Sequence, residues 1–209
     1  MAGWSEKILD IDLNTQTYKV YPLDMEMARL FIGGRGLGAR LLWDLVGPDV
    51  DPLSSENVLI FTNGPLTGTG YQTSNRFSVT TKSPLTGTIL DANSGGFWGM
   101  QFKKAGYDVM IIRGKSEQPV WIEIRNGEIL FHDASELWGM RVFALTEKLG
   151  QNNNKRNVLC IGPAGENLSR IAAIMNDRER ALARGGPGAV MGSKNLKAIV
   201  VEGKDRPGI

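Results

Sequence analysis

Two segments rich in glycine and arginine contain the residues of this chain that are best suited to bind an anion. The first spans residues 75–99 (NRFSVTTKSPLTGTILDANSGGFWG), and the second spans residues 176–195 (NDRERALARGGPGAVMGSKN). Guanidinium groups match the geometry of phosphate, and glycine lets backbone N–H groups approach a ligand closely. Two such loops in one chain predict a cofactor platform, a domain that binds a phosphate-bearing ligand from two directions.

In the first segment, Arg76 begins a predicted strand and Asn93-Ser94-Gly95-Gly96 leads into a predicted helix. The glycines permit close backbone approach, and the start of a helix favours an anion. Each feature also has an ordinary structural explanation, namely a solvated arginine and a capped helix start without a ligand. The similar segment in the second half of the chain favours the binding interpretation.

In the second segment, three arginines within residues 178–184 precede Gly185-Gly186-Pro187-Gly188. Arginines beside paired glycines are suited to phosphate or to an electron-rich ring system. The alternative is a solvated basic loop that Asp177 and Glu179 neutralise. Because this glycine-rich stretch is costly to order, we expect it to form a functional loop rather than a regular element.

Other candidate motifs do not fit their families. Gly34-Arg35-Gly36 lacks the preceding strand of a dinucleotide-binding turn, and residues 188–194 are one residue short of a P-loop. We expect residues 192–195 to form a turn. His132, the single histidine, lies beside Asp133 and is expected at the surface. The sequence shows no catalytic triad and no histidine-rich metal site, so it predicts binding rather than catalysis.

Composition excludes several classes of protein. The net charge of +2 argues against a general nucleic-acid binder. The single cysteine, Cys160, excludes an intramolecular disulfide and any cysteine-based metal cluster built from this chain alone. No apolar run approaches the roughly 20 residues that span a bilayer, and the N-terminus does not resemble a signal peptide. We therefore expect a cytoplasmic protein without a membrane partner.

The predicted elements of the second half repeat those of the first. Each half gives a hairpin, a helix, a strand that opens with Asn-Val-Leu (Asn57 and Asn157), a Gly-Pro turn, another strand and a glycine-rich loop. We predict an α+β fold: one β-rich domain over residues 1–209, with two related repeats (about 1–106 and 107–203) that form two sheets flanked by helices. The predicted helices include Met25–Phe31, Gly36–Leu45 and Ser135–Leu149, and residues 92–104 are expected to be a loop that enters a further helix.

Seven motifs in order resemble the N-terminal domain of the tungsten-dependent aldehyde:ferredoxin oxidoreductases. The resemblance runs from Trp4 to Gly203, which is nearly the whole chain. The motifs are GPLTGT (64–69), SPLTG (83–87), ANSGG (92–96), KxAGYD (103–108), IGPAGEN (161–167), IMND (174–177) and RGGPGAVMGSKNLKAI (184–199).

The resemblance implies a base domain that holds a tungsten bis-pterin cofactor of the molybdopterin type. Arg76 and Arg180 are implied to contact the pterin phosphates. The backbone carbonyls of Asn93 and Ala181 are implied to hold a magnesium ion that bridges the pterin phosphates. The full set of expected cofactor-binding residues is Arg76, Asn93, Ser94, Gly95, Gly96, Arg180, Ala181, Ala183 and Arg184.

The resemblance covers only part of the family's machinery. Its [4Fe–4S] cluster and its remaining pterin-binding residues belong to later, mostly helical domains, which are absent from this chain. We expect an excised domain, inactive by itself, of an enzyme that oxidises aldehydes to acids and passes electrons through the cluster to ferredoxin. Its exposed apolar surface should favour self-association. A free-standing carrier or scaffold for a pterin, and a module without a small ligand, are the alternatives.

Overall fold

Two six-stranded mixed sheets organise the chain. The structure is a computed structural model that describes residues 3–125, 127–150 and 156–204. The strands of the first sheet are β1 (Lys7–Asp12), β2 (Thr17–Pro22), β3 (Leu59–Asn63), β4 (Phe77–Lys82), β5 (Ile89–Ser94) and β6 (Val109–Arg113). Those of the second are β7 (Val120–Arg125), β8 (Glu128–Asp133), β9 (Asn157–Cys160), β10 (Ile174–Asn176), β11 (Arg180–Leu182) and β12 (Leu196–Glu202).

The two sheets have the same topology. The strand order is β2-β1-β6-β3-β4-β5 in the first sheet and β8-β7-β12-β9-β10-β11 in the second. In each sheet one pair is parallel (β1–β6 and β7–β12) and the other neighbours are antiparallel. The predicted α+β fold with two related repeats is therefore confirmed. The chain passes from the first sheet to the second between Arg113 and Val120, beyond the boundary near residue 106 that the sequence predicts.

Six helices flank or separate the sheets in the described part of the chain. They are α1 (Met25–Phe31), α2 (Gly34–Leu45), α3 (Trp98–Lys104), α4 (Val142–Leu149), α5 (Pro163–Glu166) and α6 (Pro187–Ser193), and Ser135–Leu137 forms a short 3₁₀ turn. Asp24 caps α1, because its carboxylate accepts hydrogen bonds from the backbone N–H groups of Glu26 and Met27. The described residues include no helix of the length and apolar character that a membrane crossing requires.

The predicted helix from Ser135 to Leu149 is wrong. The 3₁₀ turn ends at Leu137, and α4 begins only at Val142. Gly139 lies between them with a φ of +84°, a left-handed conformation that a continuous α-helix does not contain. The glycine therefore separates the two elements.

The expected loop is confirmed for Gly185 and Gly186 and is wrong for Pro187 and Gly188, because α6 begins at Pro187. The expected turn at residues 192–195 closes this helix, since the N–H of Asn195 donates to the carbonyl of Gly192 at 2.9 Å. Proline suits the first turn of a helix, where an N–H group has no partner to lose. The two glycines inside α6 permit close packing. A Cβ on Gly188 would collide with the carbonyl of Ala173, and a Cβ on Gly192 would collide with the carbonyl of Gly165.

The largest hydrophobic cluster lies between the sheets and joins the two repeats. It includes Phe61 and Phe77 from the first sheet, Ile122 and Leu159 from the second, and Trp98 from α3. Two further clusters lie on the outer faces, one under α1 and α2 and the other under α4. The central strands are thus covered on both sides, which explains why β3 and β9 are buried along their whole length.

Candidate functional site

A polar cavity lies where the two repeats meet. Six of its lining residues belong to the first repeat, and Arg180 comes from the second. The lining residues are Thr73, Asn75, Arg76, Gly95, Gly96, Phe97 and Arg180. Strands β5 and β11, the edge strands of the two sheets, contact each other at this place. The cavity therefore receives one segment from each repeat, as the sequence predicts for a site between them.

Arg76 enters the cavity from the residue that precedes β4. The buried hydroxyl of Thr67 donates a hydrogen bond to the Arg76 carbonyl at 3.3 Å, which holds the backbone in place. The guanidinium Nη1 of Arg76 donates to Oδ1 of Asn93 in β5. Because Asn93 is neutral, this contact orients the guanidinium group and leaves its positive charge uncompensated.

Arg180 enters from the opposite side, at the first residue of β11. Its direct cross-strand partner in β10 is Asn176, so both side chains project from the same face of the sheet. The Arg180 side chain passes close to Gly96, where an added Cβ would lie 3.1 Å from Cδ of the arginine. Gly96 has a φ of +95°, so this position favours glycine for its backbone as well as for space.

The electrostatics of the cavity favour an anion. In the described ranges neither Arg76 nor Arg180 forms an ion pair with a carboxylate. Burial raises the pKa of Asp177, while hydrogen bonds from Val158 and the Asn157 amide and the charge of Arg180 act in the opposite direction. Two guanidinium groups that share one cavity have the charge and the donors that suit a doubly charged group such as a diphosphate.

The remaining predicted site residues lie at different depths. Ser94 is buried at the end of β5, where its hydroxyl accepts a hydrogen bond from Asn176. Ala181 is paired with Met175 inside the second sheet. Ala183 and Arg184 follow β11, are exposed and do not line the cavity.

Two expectations about local structure near the site need correction. Asn93 and Ser94 were expected in a loop, and they belong to strand β5, which pairs with β4 along its whole length. Arg180 was also expected in a loop, and it begins strand β11, which pairs with β10. Both segments form strands because each pairs with a neighbouring strand. The local sequence pattern does not reveal this partner.

The expected turn of the SPLTG motif is confirmed and serves as a scaffold. The hydroxyl of Ser83 accepts hydrogen bonds from the backbone N–H groups of Leu85 and Thr86, and it donates to the carbonyl of Gly185 at 2.7 Å. This last bond fixes the glycine-rich segment of the second repeat against the first.

Sequence reasoning missed four residues at the site: Thr73, Asn75, Phe97 and Asn176. Thr73 and Asn75 belong to a polar run directly before Arg76, which was the available signal. Asn75 also supports the loop, since its Oδ1 accepts a hydrogen bond from the N–H of Gly68 at 3.2 Å. Asn176 gave no signal of its own, because its contacts are with Ser94 and Gly95, more than 80 residues earlier in the chain.

His132 and Cys160 do not line the cavity. His132 is partly exposed, is bound through Nε2 to Glu123 at 3.0 Å and stacks on Trp121 with ring centroids 4.1 Å apart. Cys160 is fully buried, and burial raises the pKa of its thiol to about 11. This thiol therefore stays protonated and packs as a small hydrophobic group.

Comparison with known proteins identifies the family. The family described as "Aldehyde ferredoxin oxidoreductase, N-terminal domain" matches residues 8–203. The chain belongs to this family. It is 50% identical over 205 residues to the tungsten-containing aldehyde ferredoxin oxidoreductase of Pyrococcus furiosus, and this alignment covers 97% of the chain and 34% of the relative. The chain thus spans about a third of the length of the curated relatives that it matches.

Two other relatives of this aldehyde ferredoxin oxidoreductase domain carry different names. The aliphatic sulfonate oxidoreductase, WOR-like subunit, of Pyrococcus furiosus is 38% identical over 220 residues, covering 97% of the chain and 35% of the relative. A solved chain of the active site complex BamBC of benzoyl coenzyme A reductase, in complex with 1,5-dienoyl-CoA, superposes with a TM-score of 0.91 at 39% identity. That match covers 98% of this chain and 31% of the other.

Proposed function

We propose that this chain is the part of an aldehyde:ferredoxin oxidoreductase that binds the phosphates of a tungsten bis-pterin cofactor. The parent enzyme would oxidise an aldehyde to an acid and pass the electrons through a [4Fe–4S] cluster to ferredoxin. One observation carries the proposal: Arg76 of the first repeat and Arg180 of the second line one cavity, and neither has a carboxylate partner among the described residues.

The residues at the cavity fit a phosphorylated ligand. The guanidinium groups of Arg76 and Arg180 would neutralise and orient two phosphates. A Cβ on Gly95 would meet no atom within 4 Å, so a ligand could lie against the backbone there. The carbonyls of Asn93 and Ala181, on the contacting strands β5 and β11, would hold the bridging magnesium, since carbonyl oxygen is a ligand that hard cations accept.

The tungsten centre supplies the redox chemistry when it is bound, and this chain supplies position and charge neutralisation. The single cysteine means that a [4Fe–4S] cluster would take its thiolate ligands from other domains of the parent polypeptide. Those domains, which would complete the pterin pocket, and ferredoxin are the proposed partners. The proposed location is the cytoplasm, and the isolated domain would be inactive.

The test uses the protein purified as its own gene encodes it, with any sequence that follows residue 209. Tungsten is measured by mass spectrometry, and the pterin by the fluorescence of its oxidised form. We expect both in the wild type, and we expect their loss in the Arg76→Gln/Arg180→Gln variant. The matched control, Arg29→Gln/Arg141→Gln, removes two exposed arginines that do not line the cavity and should retain both. A wild type without pterin, or a double variant that keeps it, contradicts the proposal.

A further inference from the structure

Asn176 is a buried residue through which the second repeat contacts the glycine turn of the first. It is fully buried, and its Nδ2 donates hydrogen bonds to the Gly95 carbonyl at 2.6 Å and to the Ser94 hydroxyl at 3.1 Å. A carbonyl oxygen only accepts hydrogen bonds, so the atom next to it must be the amide nitrogen. This fixes the orientation of the Asn176 side chain.

Only one of the two polar atoms in the Asn176 amide makes hydrogen bonds in the described structure. Its Oδ1 is buried and has no hydrogen-bond partner among the described residues. An unsatisfied buried acceptor costs about 1–3 kcal/mol, so this half of the side chain does not stabilise the fold. The useful half of the side chain is the donor, and both of its bonds go to the segment that lines the cavity.

The Gly95 carbonyl accepts hydrogen bonds from two donors. Besides Asn176, the hydroxyl of Ser94 donates to it at 3.3 Å. The Gly95–Gly96 peptide bond is trans, so its N–H points in the direction opposite to its carbonyl. Since the carbonyl points toward the buried Asn176, the N–H of Gly96 points away from it, and Gly96 itself lines the cavity. In the described structure that N–H has no hydrogen-bond partner.

We propose that Asn176 is a positioning residue that aims the Gly96 N–H at the ligand phosphate between Arg76 and Arg180. The Gly96 N–H then acts as a third donor, beside the two guanidinium groups. Asn176 is opposite Arg180 in the sheet, so one strand pair sets the positions of the amide donor and of the arginine together. This inference rests on the proposed function, because it assumes that the cavity binds phosphate.

The test follows binding of pyrophosphate, in the presence of magnesium, to the ¹⁵N-labelled 209-residue chain by calorimetry and NMR. In the wild type we expect the Gly96 amide proton to move downfield on saturation, as it does when an amide donates to an anion. In Asn176→Ala we expect the affinity to fall by about tenfold or more, the equivalent of one hydrogen bond to a charged group, and the Gly96 shift to disappear.

Asn63→Ala is the matched control. Asn63 is also fully buried, its Nδ2 also donates to a glycine carbonyl (Gly99, at 3.1 Å), and its Oδ1 also has no partner among the described residues. It should lose similar stability, leave the affinity within twofold and retain the Gly96 shift. Ser94→Ala, which removes the second donor to the Gly95 carbonyl, should weaken binding in the same direction and serves if Asn176→Ala does not fold.

The outcomes separate the two proposals. If the wild type binds pyrophosphate through Arg76 and Arg180 but the Gly96 amide does not move, the positioning role is wrong and the proposed function stands. Equal weakening by Asn176→Ala and Asn63→Ala would also reduce Asn176 to a structural role. If the wild type does not bind pyrophosphate, or binds it without Arg76 and Arg180, both proposals are overturned.

Discussion

Gly96 and Arg180 contact each other across the boundary between the repeats, in a space that a methyl group would close. A Cβ on Gly96 would lie 3.1 Å from Cδ of Arg180 and 3.3 Å from Nδ2 of Asn176. We therefore expect Gly96→Ala to displace the arginine and to weaken pyrophosphate binding by about tenfold or more, since a hydrogen bond to a charged group contributes about 1.5–3 kcal/mol. Calorimetric titration measures this change.

Gly106 provides the control for backbone strain. Its φ of +96° matches the +95° of Gly96, and a Cβ added to it would meet no atom within 4 Å. Both alanine variants should lose about 1–2 kcal/mol of unfolding free energy from the left-handed conformation. Only Gly96→Ala should lose affinity, and equal affinities for the two variants would show that the contact with Arg180 does not matter for binding.

We expect the buried Lys194 to give the unfolding free energy an unusual dependence on pH. Its fully buried ammonium donates to the carbonyls of Asn57 at 2.5 Å and Gly114 at 2.9 Å, and burial lowers its pKa from 10.5 to about 8. Between pH 8 and 10.5 the folded chain loses this proton first, so the unfolded chain binds more protons and the unfolding free energy rises with pH. The full gain is on the order of 3 kcal/mol.

The measurement compares the wild type with Lys194→Met by urea unfolding from pH 7 to pH 10.5. Other lysines and tyrosines titrate in the same range in both proteins, so the difference between the two unfolding free energies isolates Lys194. This difference should shift in favour of the wild type above pH 8. A difference that stays constant across the range would mean that the lysine keeps an ordinary pKa.

The buried ion pair between Lys103 and Asp108 should be sensitive to the loss of one partner. Both side chains are fully buried, and Asp108 also accepts a hydrogen bond from the N–H of Glu6 at 2.6 Å. Lys103→Met leaves the carboxylate without its partner, so we expect a loss of about 3–5 kcal/mol in thermal or urea unfolding. Adding Asp108→Asn, which removes the charge and keeps an acceptor, should recover part of it, and a double variant less stable than Lys103→Met would refute this explanation.

Local patterns in the sequence predicted much of the architecture. The hairpin predicted for the first half is β1–β2, and the helix predicted over Met25–Phe31 is α1. The shared order of elements predicted the two repeats, because a duplicated chain conserves its topology even where its side chains differ. The density of glycine and arginine also predicted that the two segments would form one site. The resemblance implied Arg76, Gly95, Gly96 and Arg180 among its residues, and these four line one cavity.

The predictions that were wrong concern features that depend on contacts between distant parts of the chain. The glycine-rich segment that contains Gly188 and Gly192 has a composition typical of loops. Both residues nevertheless lie in α6, because this helix packs against backbone carbonyls where no side chain fits. Strand β11 has three residues and begins with a charged one, so its local pattern is not that of a strand. It forms because β10 supplies a partner, and β10 is equally short. Asn176 was missed for the same reason, since its role depends on how the two sheets meet.

Trp98 should be the side chain whose truncation most weakens the contact between the repeats. It is fully buried, its ring lies 4.8 Å from that of Phe77 and 5.2 Å from that of Phe102, and its indole Nε1 donates to the carbonyl of Ile199 in the second sheet at 3.4 Å. Trp98→Ala would leave a large cavity and remove the hydrogen bond to the second sheet, so we expect a loss of about 3–5 kcal/mol in urea unfolding.

Trp43→Ala is the comparison for this truncation, because Trp43 lies on α2 and is 83% exposed. Removing a side chain from the surface usually changes the unfolding free energy by no more than about 0.5 kcal/mol. Trp98→Phe should fall between the two variants, since it keeps most of the ring packing and loses the hydrogen bond to the second sheet. If both alanine variants lost the same stability, the aromatic cluster around Trp98 would not be what holds the two sheets together.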